Sequence, residues 1–145
     1  MPIARSTRED EAPQQAAAFP VRRTNGVLEV CLIRRKDSAT WGIPKGNIDP
    51  GNTAEETALI EALEEAGLEG RLLDRPIGTY RYEKWDAELL VVVYVMQVSE
   101  EHDEWEEDRI REREWMPFDE AASLLIDHPS SPLLKAVTKL AARAR

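Results

Sequence analysis

The chain has 145 residues, 42% of them apolar and 32% charged, which fits one compact domain whose core needs no disulfides. A formal net charge of −9 excludes a surface built for general nucleic-acid binding, and no apolar run reaches the roughly 18 residues of a membrane span. The single cysteine, Cys31, lies in an apolar run and reads as a buried thiol in a reducing compartment, so the cytoplasm is the expected location.

Residues 1–17 are polar and alanine-rich and are expected to form a flexible N-terminal tail ahead of a single domain at 18–145. "FPVRRTNGVLEVCLIRRK" reads as two strands joined at Thr24-Asn25-Gly26, because Asn-Gly suits the positive-φ turn of a hairpin. "WGIPKGNIDPGN" is dense in Gly and Pro and reads as loop.

A helix over 54–66 follows. Thr53 is its N-cap, Glu56 completes a capping box, and Gly67 supplies the left-handed stop. At about 100° per residue, Ala58, Ala62, Ala66, Leu59 and Leu63 form the expected core-facing stripe, with Glu61, Glu64 and Glu65 clustered opposite.

"GRLLDRPIGTYRYEKWDAELLVVVYVMQVS" predicts two more strands with a turn near Lys84–Ala87, the second apolar on both faces and therefore buried. "EEHDEWEEDR" reads as an acidic loop, "EREWM" as a short strand and "DEAASLLI" as a helix. "SPLLKAVTKLAARA" predicts a last helix with Ser131 as N-cap and Pro132 at its first position. This order predicts an α+β fold, a mixed central β-sheet covered by helices on both faces.

Charge is distributed unevenly. Residues 1–46 carry eight Lys/Arg against five Asp/Glu, and residues 47–145 carry eleven against twenty-three. No basic residue occurs between Gly46 and Gly70, so the repulsive i, i+4 pair Glu61–Glu65 has no cation on its own helix. A hard divalent ion reverses the sign of that repulsion: Mg²⁺ takes oxygen ligands and bridges to phosphates. Gly46 lets the main chain approach the helix, placing a carbonyl near Lys45 or Gly46 as a further ligand.

These residues resemble the signature of the Nudix hydrolase family, which runs Gly, five residues, Glu, seven residues, then Arg-Glu-apolar-any-Glu-Glu-any-Gly-apolar. The chain has Gly46, five residues, Asn52, seven residues, then Ile60-Glu61-Ala62-Leu63-Glu64-Glu65-Ala66-Gly67-Leu68, with the spacing kept throughout. "TWGIPKGN" and "DEWEEDRIREREWMPFDEAASLL" are similar to segments of members that cleave dinucleoside polyphosphates and diphosphoinositol polyphosphates. The resemblance implies an α/β/α sandwich and Mg²⁺- or Mn²⁺-dependent hydrolysis of a phosphoanhydride bond. It implies Glu61 and Glu65 as the leading metal ligands and Glu64 as a third, beside the Gly46 carbonyl already proposed, with Glu64 or Glu65 as the base that activates water. Glu104, Glu106 and Glu107 of the acidic loop are alternative bases.

The chain departs from the signature at Asn52 and Ile60, where the family has a charged pair that helps orient the metal-binding glutamates. Losing both partners together is coherent, because removing one strands a partly buried charge at about 3–5 kcal/mol. The orientation of Glu61 must then come from elsewhere.

Lys45 and Arg34 are the expected phosphate donors; strand alternation lets only one of Arg34 and Arg35 face the site. Trp41, Tyr80 and Tyr82 are candidates for stacking on a base. His102 and His128 read as loop residues without a metal partner. The expected substrate is a small phosphorylated molecule, first a dinucleoside polyphosphate, then a diphosphoinositol phosphate or a nucleoside triphosphate. No extended nucleic acid and no membrane are expected as partners, and the chain is expected as monomer or homodimer. The alternative is a nucleotide-binding module of the same fold with weakened or lost catalysis.

Overall fold

The computed structural model describes residues 11–143. Seven strands form one sheet: β1 (Gln15–Thr24), β2 (Val27–Arg35), β3 (Lys45–Asn47), β4 (Leu68–Leu72), β5 (Gly78–Lys84), β6 (Ala87–Glu101) and β7 (Arg111–Pro117). The helices are α1 (Ala54–Ala66), α2 (Phe118–Leu124) and α3 (Leu134–Arg143). The sheet runs β4-β6-β1-β2-β7, with β3 beside β1 and β5 beside β6. Only β1 and β6 pair in parallel, Gln15 to Val21 against Val91 to Gln97. The sheet is therefore mixed, as expected.

Period-2 alternation builds two cores from the same strands. Ala17, Phe19 and Val21 of β1, with Val91, Val93 and Val95 of β6, meet Ala121 and Leu125 around α2 and Val137 of α3. Ala16 and Ala18, with Val92, Tyr94 and Met96, meet Ala58, Ala62 and Ala66 of α1. Helices thus cover both faces, and burial on both sides explains why "LLVVVYV" carries no polar residue. Cys31 lies in the second core, where burial pushes its thiol up to about 12, an inert state.

Several sequence expectations need correction. β1 begins at Gln15, inside the stretch read as tail, and Ala16 and Ala17 are fully buried. Alanine is a poor strand former, but here small residues on strand and helix let α1 lie close, so packing overrides propensity. The rest of that tail, residues 1–10, lies outside the described residues. The Gly/Pro-dense segment read as loop contains β3, which pairs Lys45–Asn47 with Ala17–Gln15. β4, an edge strand against the far half of β6, was not expected. Ser131 opens a 3-10 turn (Ser131–Leu133) instead of capping α3, and the N-cap of that turn, Ser130, makes no side-chain capping bond.

The two turns behave as read. Asn25 and Gly26 have φ of 51° and 81°, and the β5–β6 turn uses Trp85 and Asp86 at 54° and 60°. Helix α1 matches its expected bounds. Thr53 Oγ1 accepts the Glu56 N–H at 3.0 Å, and the Glu56 carboxylate accepts the Thr53 N–H at 2.8 Å. Gly67 (φ 68°) donates its N–H to Leu63 at 3.0 Å. The side-chain stripe is rotated from expectation. Leu63 is 40% exposed, whereas Glu65 is only 8% exposed and sits with Thr57, Ala58, Ala62 and Ala66 on the inner side.

Candidate active site

The rotation of α1 delivers its carboxylates to the sheet edge where β3 passes. The Glu61 carboxylate lies directly over Gly46, in space that any β-carbon there would invade. Glu65 accepts the Lys45 backbone N–H on Oε1 at 3.1 Å, and its Oε2 stands 3.5 Å from Arg111 Nη2. Glu64, one position back, turns toward the acidic loop, where its carboxylate joins those of Glu106 and Glu107 within 4.8 Å of one another.

Electrostatics follow from this crowding. Burial first, then the charges of Glu65 and Glu64, push the Glu61 carboxyl up to about 8. Burial also raises Glu65, opposed by the Arg111 guanidinium and the Lys45 amide. Glu64 is raised by burial and by Glu106, Glu107 and Asp49. Several carboxylates in one partly buried place hold protons unless a cation replaces them. A set of hard carboxylate oxygens beside a close-packed backbone segment suits Mg²⁺ or Mn²⁺.

The acidic loop closes the end of α1. The last carbonyls of a helix lack internal partners, and no basic residue occupies the last turn of α1. Trp105 Nε1 donates to the Glu65 carbonyl at 3.0 Å, Arg113 Nη1 to that of Ala66 at 2.7 Å, and the Glu107 N–H to that of Glu64 at 3.1 Å. Arg113 also donates to the His102 carbonyl at 2.6 Å. Trp105 thus holds a main-chain acceptor at the helix end.

Beside Glu65 opens a cavity of about 220 Å³ lined by Arg34, Arg35, Trp41, Lys45, Arg111 and His128, among others. Both arginines of the β2 end reach it, because the cavity lies at the strand terminus where alternation no longer separates them. Arg34 Nε is 2.5 Å from Glu112, and its guanidinium stacks 4.6 Å from the Trp41 ring centre. Lys45 Nζ donates to Tyr82 Oη at 3.0 Å; Tyr82 donates to Gln15 Oε1 at 2.8 Å, and Gln15 Nε2 to Asn47 Oδ1 at 2.8 Å.

Two aromatic expectations change. Tyr80 is 6% exposed, packed in the core and edge-on to His128, so its ring offers no stacking face. Tyr82 serves Lys45 through its hydroxyl and ring. His128 is partly buried, and burial with nearby Lys45 lowers its pKa. His102 is bonded to Glu69, with Glu100 near, so it has carboxylate company that the loop reading did not anticipate.

Asn52 is exposed and Ile60 is 38% exposed, so neither leaves an orphaned charge. Arg111 is the cation beside Glu65 that sequence reasoning missed. Its signal was available: Arg111 and Arg113 stand at i, i+2 on a strand immediately after seven carboxylates, so both point to one face.

The fold and this carboxylate-rich edge define a Nudix-type α/β/α domain, and the NUDIX domain family matches the chain over residues 12–137; the chain belongs to that family. It is 31% identical over 97 residues to Nudix hydrolase 4 of Arabidopsis thaliana, covering 66% of this chain and 46% of that protein. It is 31% identical over 112 residues to diphosphoinositol polyphosphate phosphohydrolase 3-alpha of Mus musculus, covering 76% of this chain and 66% of that protein. The chain spans about half the length of the first curated relatives it matches, 46%, 42% and 52%. In fold it is similar to C. elegans Ap4A hydrolase in a binary complex, with a TM-score of 0.74, 20% identity, and coverage of 90% of this chain and 98% of that one. Among the described residues no helix is long and apolar enough to cross a membrane.

Proposed function

We propose that the chain is a divalent-metal-dependent hydrolase of a phosphoanhydride bond in a small polyphosphate substrate, with a dinucleoside polyphosphate as first choice. The observation that carries this reading is the junction at Glu65. On one side lie Glu61 and Glu64; on the other lies a cavity lined by Lys45, Arg34 and Arg35. Glu61, Glu64 and Glu65 are the residues that would hold Mg²⁺ or Mn²⁺, with the Gly46 main chain close by. The bound ions would supply charge neutralisation at the phosphates and a lowered pKa for water.

The chain's own groups do the rest. Lys45 and the two arginines hold phosphate oxygens and fix the anhydride in line with the carboxylates. Glu65, beside the cavity, or Glu64, facing the acidic loop, takes the proton from the attacking water, each carboxyl being raised above its ordinary value by burial.

A second reading, a diphosphoinositol polyphosphate substrate, is favoured by one observation. Tyr80 is buried and the Trp41 face is already taken by Arg34, so the cavity offers cations more than open aromatic surface. A mouse relative carries that substrate in its name.

The test is turnover of dinucleoside polyphosphates, diphosphoinositol phosphates, nucleoside triphosphates and nucleotide sugars, each with Mg²⁺, Mn²⁺ or chelator, with Glu65→Gln as control. Chelator-sensitive release of phosphate or nucleotide that E65Q lacks is the expected result. Binding of these compounds with no turnover in any metal would instead make the chain a ligand-binding module.

A further inference from the structure

The signature arginine that orients the glutamates is Ile60 here, yet Glu65 is not left without a cation. Arg111, at the start of β7, reaches Glu65 Oε2 with Nη2 at 3.5 Å and Glu107 Oε1 with Nε at 2.6 Å. Its backbone N–H is bonded to the Glu107 carbonyl at 3.0 Å, and the Glu107 N–H to the Glu64 carbonyl at 3.1 Å. One side chain therefore ties a ligand carboxylate of α1 to the acidic loop, and that loop is itself bonded to the helix end. The guanidinium side chain is mostly covered, at 20% exposure, and Glu65 more so at 10%. An ion pair in such surroundings is screened little by solvent and keeps a defined geometry.

We infer that Arg111 is the positioning residue of this site, supplying from β7 the orientation that an in-helix arginine gives elsewhere in the family. The second oxygen of Glu65 is fixed by the Lys45 amide, so the carboxylate is held at both ends and presents its free lone pairs in one direction. A lysine at 111 keeps the charge but not the fork, since one ammonium cannot address two carboxylates with separate nitrogens. The inference rests on the metal-dependent reading above.

The experiment measures free Mn²⁺ by electron paramagnetic resonance during titration of the full chain without substrate, for wild type, Arg111→Gln, Arg111→Lys and Arg113→Gln. Arg113 braces the same helix end through two carbonyls, Glu101 and the Trp105 ring, and among the described residues makes no ion pair with Glu61, Glu64 or Glu65. Loss of a group that orients a metal ligand typically weakens binding about 10–100-fold. R111Q is expected to weaken Mn²⁺ by about that factor and to lower kcat with KM changed less than about threefold, with R111K intermediate. R113Q is expected to lower the metal-free melting temperature and leave Mn²⁺ affinity within about twofold.

R111Q with wild-type Mn²⁺ affinity overturns the inference; if KM alone rises, Arg111 is a phosphate contact instead. If R111Q does not fold, R111K carries the comparison, and wild-type affinity and kcat in R111K overturn it equally. Wild type that holds no Mn²⁺ defeats the metal-dependent reading itself, a result distinct from one in which wild type binds and R111Q binds as well.

Discussion

The carboxylate of Glu61 rests against the α-carbon of Gly46, in the volume a side chain would fill. This contact fixes where α1 stands relative to β3, because Ala58 and Ala62 already bring the helix flush with Ala16 and Ala18. Gly46→Ala should therefore displace Glu61 rather than the helix. A misplacement of about 1 Å at a reacting centre costs about 100-fold in rate. We expect G46A to lower kcat by that order with the fold retained by circular dichroism. An active G46A would show that Glu61 takes no part in the chemistry.

The raised carboxyl of Glu61 sets a pH dependence. Its folded pKa of about 8 lies above the 4.5 of an unperturbed carboxyl, so between these values the folded state binds more protons than the unfolded state. Without metal, Glu61 is then neutral in the native state, and its contribution to stability falls as pH rises from near 4.5, levelling above about 8. The metal-free melting temperature should decline across this window, and saturating Mg²⁺ should flatten the decline by replacing the proton. Glu61→Gln should reduce the metal-free slope, leaving the part due to Glu64 and Glu65, which are raised as well. A slope that E61Q leaves unchanged assigns the titration to another group.

Lys45 divides its work between backbone and side chain. Its amide holds Glu65, and its ammonium is steered by Tyr82, which is anchored through Gln15 to Asn47. Lys45→Met keeps the amide and removes the charge. A hydrogen bond to a charged group contributes about 1.5–3 kcal/mol, so KM should rise about 10–100-fold with metal affinity unchanged. Tyr82→Phe frees the ammonium without removing it and should raise KM by a smaller factor. Equal KM for K45M and wild type would place Lys45 outside the substrate site.

Local rules made α1 legible from the sequence. The capping box, the glycine stop and the spacing of Glu61, Glu64 and Glu65 all act within a few residues, and all three are seen. What the sequence hid was set by distant partners. A period of 3.6 gives two candidate inner faces on a helix that mixes Ala, Leu and Glu, and the choice between them fell to Gly46, Lys45 and Arg111. Glu65 is inside because the sheet edge supplies it an N–H and a guanidinium, while Leu63 stands 40% exposed. β3 and the start of β1 were hidden for a related reason: Lys45–Asn47 pairs with Gln15–Ala17, and Gln15–Ala17 pairs on its other side with Val91–Val93 of β6, partners far away in the chain. Tyr80 and Tyr82 stand at i, i+2 on β5 and share the face that packs toward the first core, and spacing could not show that Tyr80 is the one covered by His128.

The helix cap offers a test of stability apart from chemistry. Thr53 and Glu56 exchange two hydrogen bonds at an exposed helix start remote from the carboxylate edge. Thr53→Ala should cost about 1 kcal/mol, a fall of roughly 2–4 °C in melting temperature for a chain of this size. Because the cap stands two turns before Glu61, kcat at 25 °C should be unchanged. A loss of kcat without a change in melting temperature would tie the start of α1 to the reaction.

Restoring the family's charged pair asks whether the site is compromised or compensated. In the present fold Asn52 and Ile60 are solvent-accessible, while Glu65 already has a cation and Glu61 a fixed seat on Gly46. An exposed pair created by Asn52→Glu with Ile60→Arg contributes about 0–1 kcal/mol at most. The double variant should therefore raise kcat/KM by less than about fivefold and leave Mn²⁺ affinity nearly unchanged. A gain of about 100-fold would mean that the native arrangement holds its glutamates poorly, and that the bracing from β7 and β3 does not replace what positions 52 and 60 lack.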